Sequence, residues 1–254
     1  MTWRTISLLI LTLGIWSCEN QKEEVPIEYG YEYFPLEIGQ TSFYQLDSII
    51  FDPATFGTRI DTFSWQLREQ IVDTLRDGSG ELLYVIERAQ RKSDSLSWNL
   101  DAVWTASRTE TQAFRTEDNL RFMKMSFPLE EGSTWNGNIF IDESLVISVA
   151  GETIELFKGW ENRILTLNEN LNLGDLNFEE VCTIELADNE NLIEYRYGIE
   201  QYAKGIGLIY KELWVLDTQC QVCCNSDFAS CETLAWQEKA EAGFILRQQL
   251  IDQN

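Results

Sequence analysis

The chain of 254 residues carries 42 acidic against 19 basic side chains, a net charge of −23 that disfavours phosphate-rich partners, so nucleic acid is not expected. The charges are scattered in the manner of solvated surface, while nine Trp, nine Tyr and thirteen Phe describe a folded chain with a core. No histidine occurs, which removes histidine-activated nucleophiles, histidine zinc ligation and the HExxH metalloprotease together.

Residues 1–17 read as a signal peptide. Arg4 supplies positive charge, and the apolar run from Ile6 to Trp16 is too short to span a bilayer. Ile15-Trp16-Ser17-Cys18 resembles the lipobox of bacterial lipoproteins, although Trp16 departs from the small or aliphatic residue usual there. The resemblance implies that Cys18 becomes an acylated N-terminus. Two or more chains hold a protein stably where one holds it marginally, so the expected partner at this end is a membrane. Residues 18–30 then form a lipidated tether. Within it, Lys22-Glu23-Glu24 is similar to the export signal of Bacteroidota surface lipoproteins and reads equally as a solvated spacer. The expected location is the bacterial outer membrane, facing the periplasm or the cell surface.

Residues 31–254 read as one β domain. Phe34-Pro35-Leu36-Glu37-Ile38-Gly39-Gln40-Thr41 returns as Phe127-Pro128-Leu129-Glu130-Glu131-Gly132-Ser133-Thr134. Proline fixes φ and glycine permits positive φ, so each copy is a turn feeding a strand. The copies mark two similar halves, or one favoured turn used twice. Phe63, Trp65 and Leu67 alternate, Asp77 to Gly80 forms a hairpin turn, and Leu82 to Ile86 is a strand. Leu96 to Phe114 reads as a hairpin, with a turn at Thr116 to Asn119 before Phe122 to Phe127. Asn136-Gly137 is a turn, followed by strands at Ile139 to Ile141, Leu145 to Val149 and Thr153 to Phe157. Leu165 to Asp175, where Leu alternates with Asn, reads as a polar loop. Phe178, Cys182, Ile184 and Leu186 share one strand face, and Ala187 to Asn191 turns the chain back. Gly205 and Gly207 let the backbone kink or bulge before the strand continues to Val215.

The Phe-Pro-Leu-x-x-Gly turn together with Tyr202-Ala203-Lys204-Gly205-Ile206-Gly207-Leu208 and Glu212 resembles uncharacterised Bacteroidota lipoproteins with β-rich bodies. It is loosely similar to half-barrel lipoproteins and carriers of the envelope. The resemblance implies an all-β fold, a single curved antiparallel sheet of half-barrel or sandwich-like form, and it carries over no functional residue.

Cys220, Cys223, Cys224 and Cys231 crowd the loop 219–233. Local disulfides suit an oxidising envelope, a metal site lacks paired CxxC knuckles, and a redox CxxC lacks a helix directly behind it. Disulfides are favoured with the pairing open, the vicinal Cys223–Cys224 bond least so. Cys182 is expected to be a buried free thiol. Leu234 to Ala242 reads as a short helix stopped by Gly243 or as the continuation of a ragged strand, and Phe244, Leu246 and Leu250 share a face of the last strand.

Without GxGxxG, GxxxxGKS/T or GxSxG, and with carboxylates too dispersed to single out a pair, no enzyme, cofactor or metal is expected. Two roles remain. One is a non-catalytic envelope lipoprotein binding a protein, glycan or lipid. The other is a carrier or chaperone for hydrophobic cargo. A contiguous apolar cavity favours the second, and a filled core with an exposed aromatic patch favours the first.

Overall fold

The computed structural model describes residues 28–254. Cys18, Lys22, Glu23 and Glu24 lie outside the described residues. Glu28–Gly30, placed in the tether by sequence, are bonded to the body. Lys204 Nζ donates to Glu28 Oε1 at 2.8 Å, and Leu129 N donates to the Tyr29 carbonyl at 3.1 Å.

The first half of the body is a meander: β1 Thr41–Phe51, β2 Ile60–Arg76, β3 Leu82–Arg91, β4 Asn99–Arg108, β5 Gln112–Glu117 and β6 Leu120–Ser126. Asp118 and Asn119, with φ of 50° and 66°, make the two-residue turn that joins β5 to β6 with Glu117 opposite Leu120. The second half begins with β7 Thr134–Trp135. A hairpin of β8 Val146–Val149 and β9 Glu152–Glu155 intervenes before β10 Asn162–Leu173, β11 Leu176–Glu190, β12 Glu194–Ala203, β13 Gly207–Asp217 and β14 Ala242–Gln253. All but the β8–β9 pair form one 12-stranded antiparallel sheet, in the order β6-β5-β4-β3-β2-β1-β14-β13-β12-β11-β10-β7. The expected single curved sheet is what forms, and it curls until its edge strands meet. There Met123 N donates to the Gly137 carbonyl at 2.8 Å, and Trp135 Nε1 donates to the Met123 carbonyl at 2.9 Å.

The two turn copies repeat structurally from the glutamate onward, Glu37 to Gln40 and Glu130 to Ser133, although the Phe127–Pro128 peptide is cis and Phe34–Pro35 is not. Gly39 and Gly132 have φ of 97° and 80°, a region that costs any other residue strain. Gly39 N donates to the Ile71 carbonyl at 2.8 Å, and Ile71 N returns a bond to Gln40 O at 3.0 Å. In the second copy Gly132 N donates to Ile164 O at 2.8 Å, and Ile164 N donates to Ser133 O at 3.1 Å. Each half therefore enters its meander through the same turn, locked to the strand that becomes its first neighbour: β2 for β1, and β10 for β7.

Four sequence expectations are corrected. Ile139 to Ile141 is a succession of turns, because Ile141 N closes back on the Asn138 carbonyl at 2.8 Å. Leu165 to Leu173 belongs to β10: Leu–Asn alternation suits a strand whose two faces differ in exposure, so the polar-loop reading fails. The turn after β11 falls at Asn191 to Ile193, where Asn191 Oδ1 accepts from Ile193 N and Glu194 N, both at 2.9 Å. Gly205 and Gly207, both at positive φ, make a true turn between β12 and β13 instead of a kink within one strand, and the register irregularity falls beside it, between Gln201 and Tyr202.

The main core lies inside the curl, where Ile86, Trp104, Met123, Met125, Trp135, Ile164, Cys182 and Ile184 are buried together. At one end the β8–β9 hairpin packs Val149 and Ile154 against Val215. On the opposite face of the same strands, Trp236 and Ala240 cover Phe51, Leu216 and Ile245. These two covering residues come from α2 Trp236–Lys239 and its C-cap, so of the two readings of Leu234 to Ala242 the short helix is the one that forms. A second single-turn helix, α1 Phe228–Cys231, precedes it.

Candidate functional site

Strand alternation turns every second side chain of a curled sheet inward, and here several of those are charged. Glu200 on β12 and Lys211 on β13 are cross-strand partners. Glu117 and Lys124 arrive from the β5–β6 hairpin on the far side of the interior. Lys124 Nζ lies 2.8 Å from Glu200 Oε1 and 3.0 Å from Glu117 Oε1, while Lys211 Nζ lies 3.3 Å from Glu200 and 3.6 Å from Glu117. The result is a closed ring in which each lysine touches both glutamates. Tyr202 OH donates to the second Glu200 oxygen at 2.6 Å. Arg115 extends the network to Glu69 at 2.6 Å, with Arg88 4.0 Å beyond, and both guanidinium groups stack on Trp104.

Burial alone would raise both glutamate pKa values, but the lysines outweigh it. Glu200 is held down to about 2, and Glu117 lies well below the ordinary carboxylate range. Burial would likewise lower Lys124, and Glu117 and Glu200 raise it instead. The Tyr202 phenol is pushed well up by burial and by the Glu200 charge. These signs keep the acids and Lys124 ionised at neutral pH, as buried charges must be paired to persist. Sequence reading placed Glu117 in a turn and assigned the scattered charges to solvated surface. For Glu69, Lys124 and Glu200 that is corrected, since all three are buried.

Beside the ring lies a cavity of about 310 Å³. Leu120, Phe122, Leu156, Phe157, Leu186 and Leu213 form its apolar wall, and Glu117, Lys124, Glu200 and Lys211 its charged end. A smaller cavity of about 180 Å³ shares that charged end and reaches Glu69, Arg88 and Trp104. Asn138 and Trp160 also line the larger cavity. Both are more than nine-tenths buried, and Asn138 Nδ2 and Trp160 Nε1 have no hydrogen-bond partner among the described residues.

The cysteine loop lies elsewhere. Cys220 and Cys231 form a disulfide, whereas Cys223 and Cys224 are free. The pairing that the sequence left open is thus Cys220–Cys231, and the vicinal pair that it ranked last is unbonded. Cys223 Sγ stops 3.2 Å from Cys231 Sγ, and burial together with Cys224 pushes its thiol up to about 11. Although the Cys220, Cys223 and Cys231 sulfurs lie within 4.8 Å of one another, two of them are spent in the disulfide and offer no thiolate to a metal. The Glu241 carboxylate holds the loop by accepting from Gln219 N, Gln221 N and Val222 N at 2.6 to 3.0 Å. Cys182 is the expected buried thiol, pushed up to about 12 by burial.

No protein family matches the chain, and no curated protein matches it. Similar solved structures include the following two. One, from Bacteroides fragilis, is described as an exported protein with a YmcC-like fold; it is 11% identical over 87% of this chain and 98% of its own, with a TM-score of 0.42. The other, from Parabacteroides distasonis, is described as a lipoprotein; it is 11% identical over the same 87% and 98%, with a TM-score of 0.44. At these scores the likeness supports no conclusion about what this chain does.

Proposed function

We propose that this chain is a lipid-anchored protein of the bacterial envelope whose barrel holds a small, largely apolar molecule without transforming it. The anchor rests on the lipobox-like Ile15-Trp16-Ser17-Cys18. The binding role rests on one observation, the cavity of about 310 Å³ with apolar walls and a polar end. Its size falls at the lower edge of the range of roughly 300–1,000 Å³ common for ligand sites. At roughly 30 Å³ per water-sized group, it accepts about ten non-hydrogen atoms. Of the two roles raised by sequence, the carrier of hydrophobic cargo is the one that such a cavity favours.

The test is uptake of a neutral fluorophore of matching size, 1-naphthol, by the folded body. Emission should rise with saturable binding in the native chain and stay at its free value in a cavity-filling Leu213→Trp variant. Equal binding by both would place the probe outside this cavity and remove the support for the reading.

A further inference from the structure

We infer that the ligand of the barrel cavity is electrically neutral and presents oxygen acceptors, such as an ester, amide or ether, at the end nearest Asn138 and Trp160. This inference rests on the proposed cavity binding and specifies its chemistry.

Charge balance carries the first half. The larger cavity is lined by two bases, Lys124 and Lys211, against three acids, Glu117, Asp118 and Glu200, and the smaller cavity beside it adds Arg88 and Arg115 against Glu69. Each lysine of the ring already touches both glutamates, and Arg115 reaches Glu69 and Glu117. Asp118 is engaged by the Trp104 indole N–H at 3.1 Å. A carboxylate or phosphate entering the larger cavity would meet no surplus cation, and an ammonium would meet only Asp118, which already accepts from the Trp104 indole. The unpartnered cationic donors around these cavities, Arg88 Nε and Arg115 Nε, line the smaller one and not the larger, so an ion in the larger one would lose its hydration without a free counter-ion, a large cost for an ion and a small one for a neutral group.

Unmet donors carry the second half. A buried N–H without an acceptor is costly, and native structures contain few of them. Here two such donors, the Asn138 amide and the Trp160 indole, line the same apolar cavity. Both donate, so the complementary ligand accepts. Asn138 is held there by the turn in which its own N–H donates to Asn136 Oδ1 at 2.9 Å and its carbonyl accepts from Ile141 N at 2.8 Å. Trp160 is fixed by edge contact with Phe157, ring centroids 5.6 Å apart.

The experiment compares three probes that share an eight-carbon body: methyl octanoate (neutral, two acceptor oxygens), octanoate and octylammonium. The readout is the indole ¹⁵N–¹H resonance of Trp160, assigned by its loss in Trp160→Phe. Methyl octanoate should shift that resonance at concentrations where neither ion does. By calorimetry, Trp160→Phe and Asn138→Leu should each weaken the ester about tenfold, the worth of one hydrogen bond of about 1.4 kcal/mol. If octanoate or octylammonium moves the resonance as strongly as the ester, cavity binding stands and the neutral-acceptor inference is overturned. If no probe moves it while 1-naphthol still binds the native chain and not Leu213→Trp, the acceptor assignment alone is overturned. If naphthol fails as well, both fall.

Discussion

Lys124 Nζ and Glu200 Oε1, 76 residues apart in sequence, meet at 2.8 Å inside the barrel. That contact ties the last strand of the first meander to the middle of the second, and it forms one edge of a ring that also takes in Glu117 and Lys211. Removing one partner leaves a buried charge uncompensated. Lys124→Met should therefore destabilise the body by about 3–5 kcal/mol in urea unfolding. A loss below about 1 kcal/mol, the usual worth of an exposed pair, would mean that water reaches the ring.

Acid should act on the same contact. Glu200 titrates near 2 when folded, below its ordinary value of 4.5. A depressed carboxylate pKa contributes stability that is whole above the unfolded value and is lost as pH falls through the folded one. Unfolding midpoints should drop between pH 4.5 and 2, with Glu117 adding to the slope because its pKa is lowered too. Glu200→Gln should be less stable at neutral pH and show a shallower decline below pH 4.5. A parallel decline in both proteins would assign the acid sensitivity to other groups.

Much of the frame was legible in the sequence, and the centre of the site was not. The Asp77 to Gly80 turn, the alternation through Leu67 and the apolar face around Cys182 are local signals, each set by residues adjacent in the chain. The ring is different. Its four members come from four strands, and a charged residue turned inward alternates along a strand just as one turned outward does. One signal was available: Lys124 stands between Met123 and Met125, in a run from Phe122 to Phe127 with little else that is polar. A lysine set in such a run has to find an acid. The Leu–Asn stretch of β10 misled because its alternation was read by composition and not by period. The cysteine spacing limited the possible pairings but could not show that Cys223 would stop short of Cys231.

The turn repeat makes its own prediction. At Gly39 and Gly132 an added Cβ meets nothing within 4 Å, so alanine costs only backbone strain. Gly39→Ala and Gly132→Ala should each lose about 1–2 kcal/mol, and by similar amounts because the two turns make the same bonds. Unequal losses, with one near zero, would show that the two turns are not mechanically equivalent.

Sulfur chemistry gives a sharper contrast. In the folded protein a maleimide should label Cys224 first and Cys223 slowly, because its thiol is pushed up to about 11, and should spare Cys182 until denaturant is added. In Cys220→Ala, Cys223 lies 3.2 Å from the sulfur that loses its partner, so a Cys223–Cys231 disulfide should replace the original. Peptide mapping that finds Cys231 free in this variant under oxidising conditions would contradict the geometry.

At the other end of the chain, Cys18→Ala should release the protein from membranes of its native host. Persistence in the membrane pellet at high salt would overturn the lipid anchor. Asn at Lys22, Glu23 and Glu24 should reduce surface digestion by protease on intact cells, whereas unchanged digestion would reduce that stretch to a spacer.

The most direct measurement is a native mass spectrum of residues 19–254 after export through the host's own envelope. Cavity binding predicts a retained adduct the size of a small neutral amphiphile on the native chain and its absence from Leu213→Trp, with both proteins about 2 Da lighter than the reduced mass from one disulfide. A bare native chain, or an adduct equally abundant on the cavity-filled variant, would contradict it.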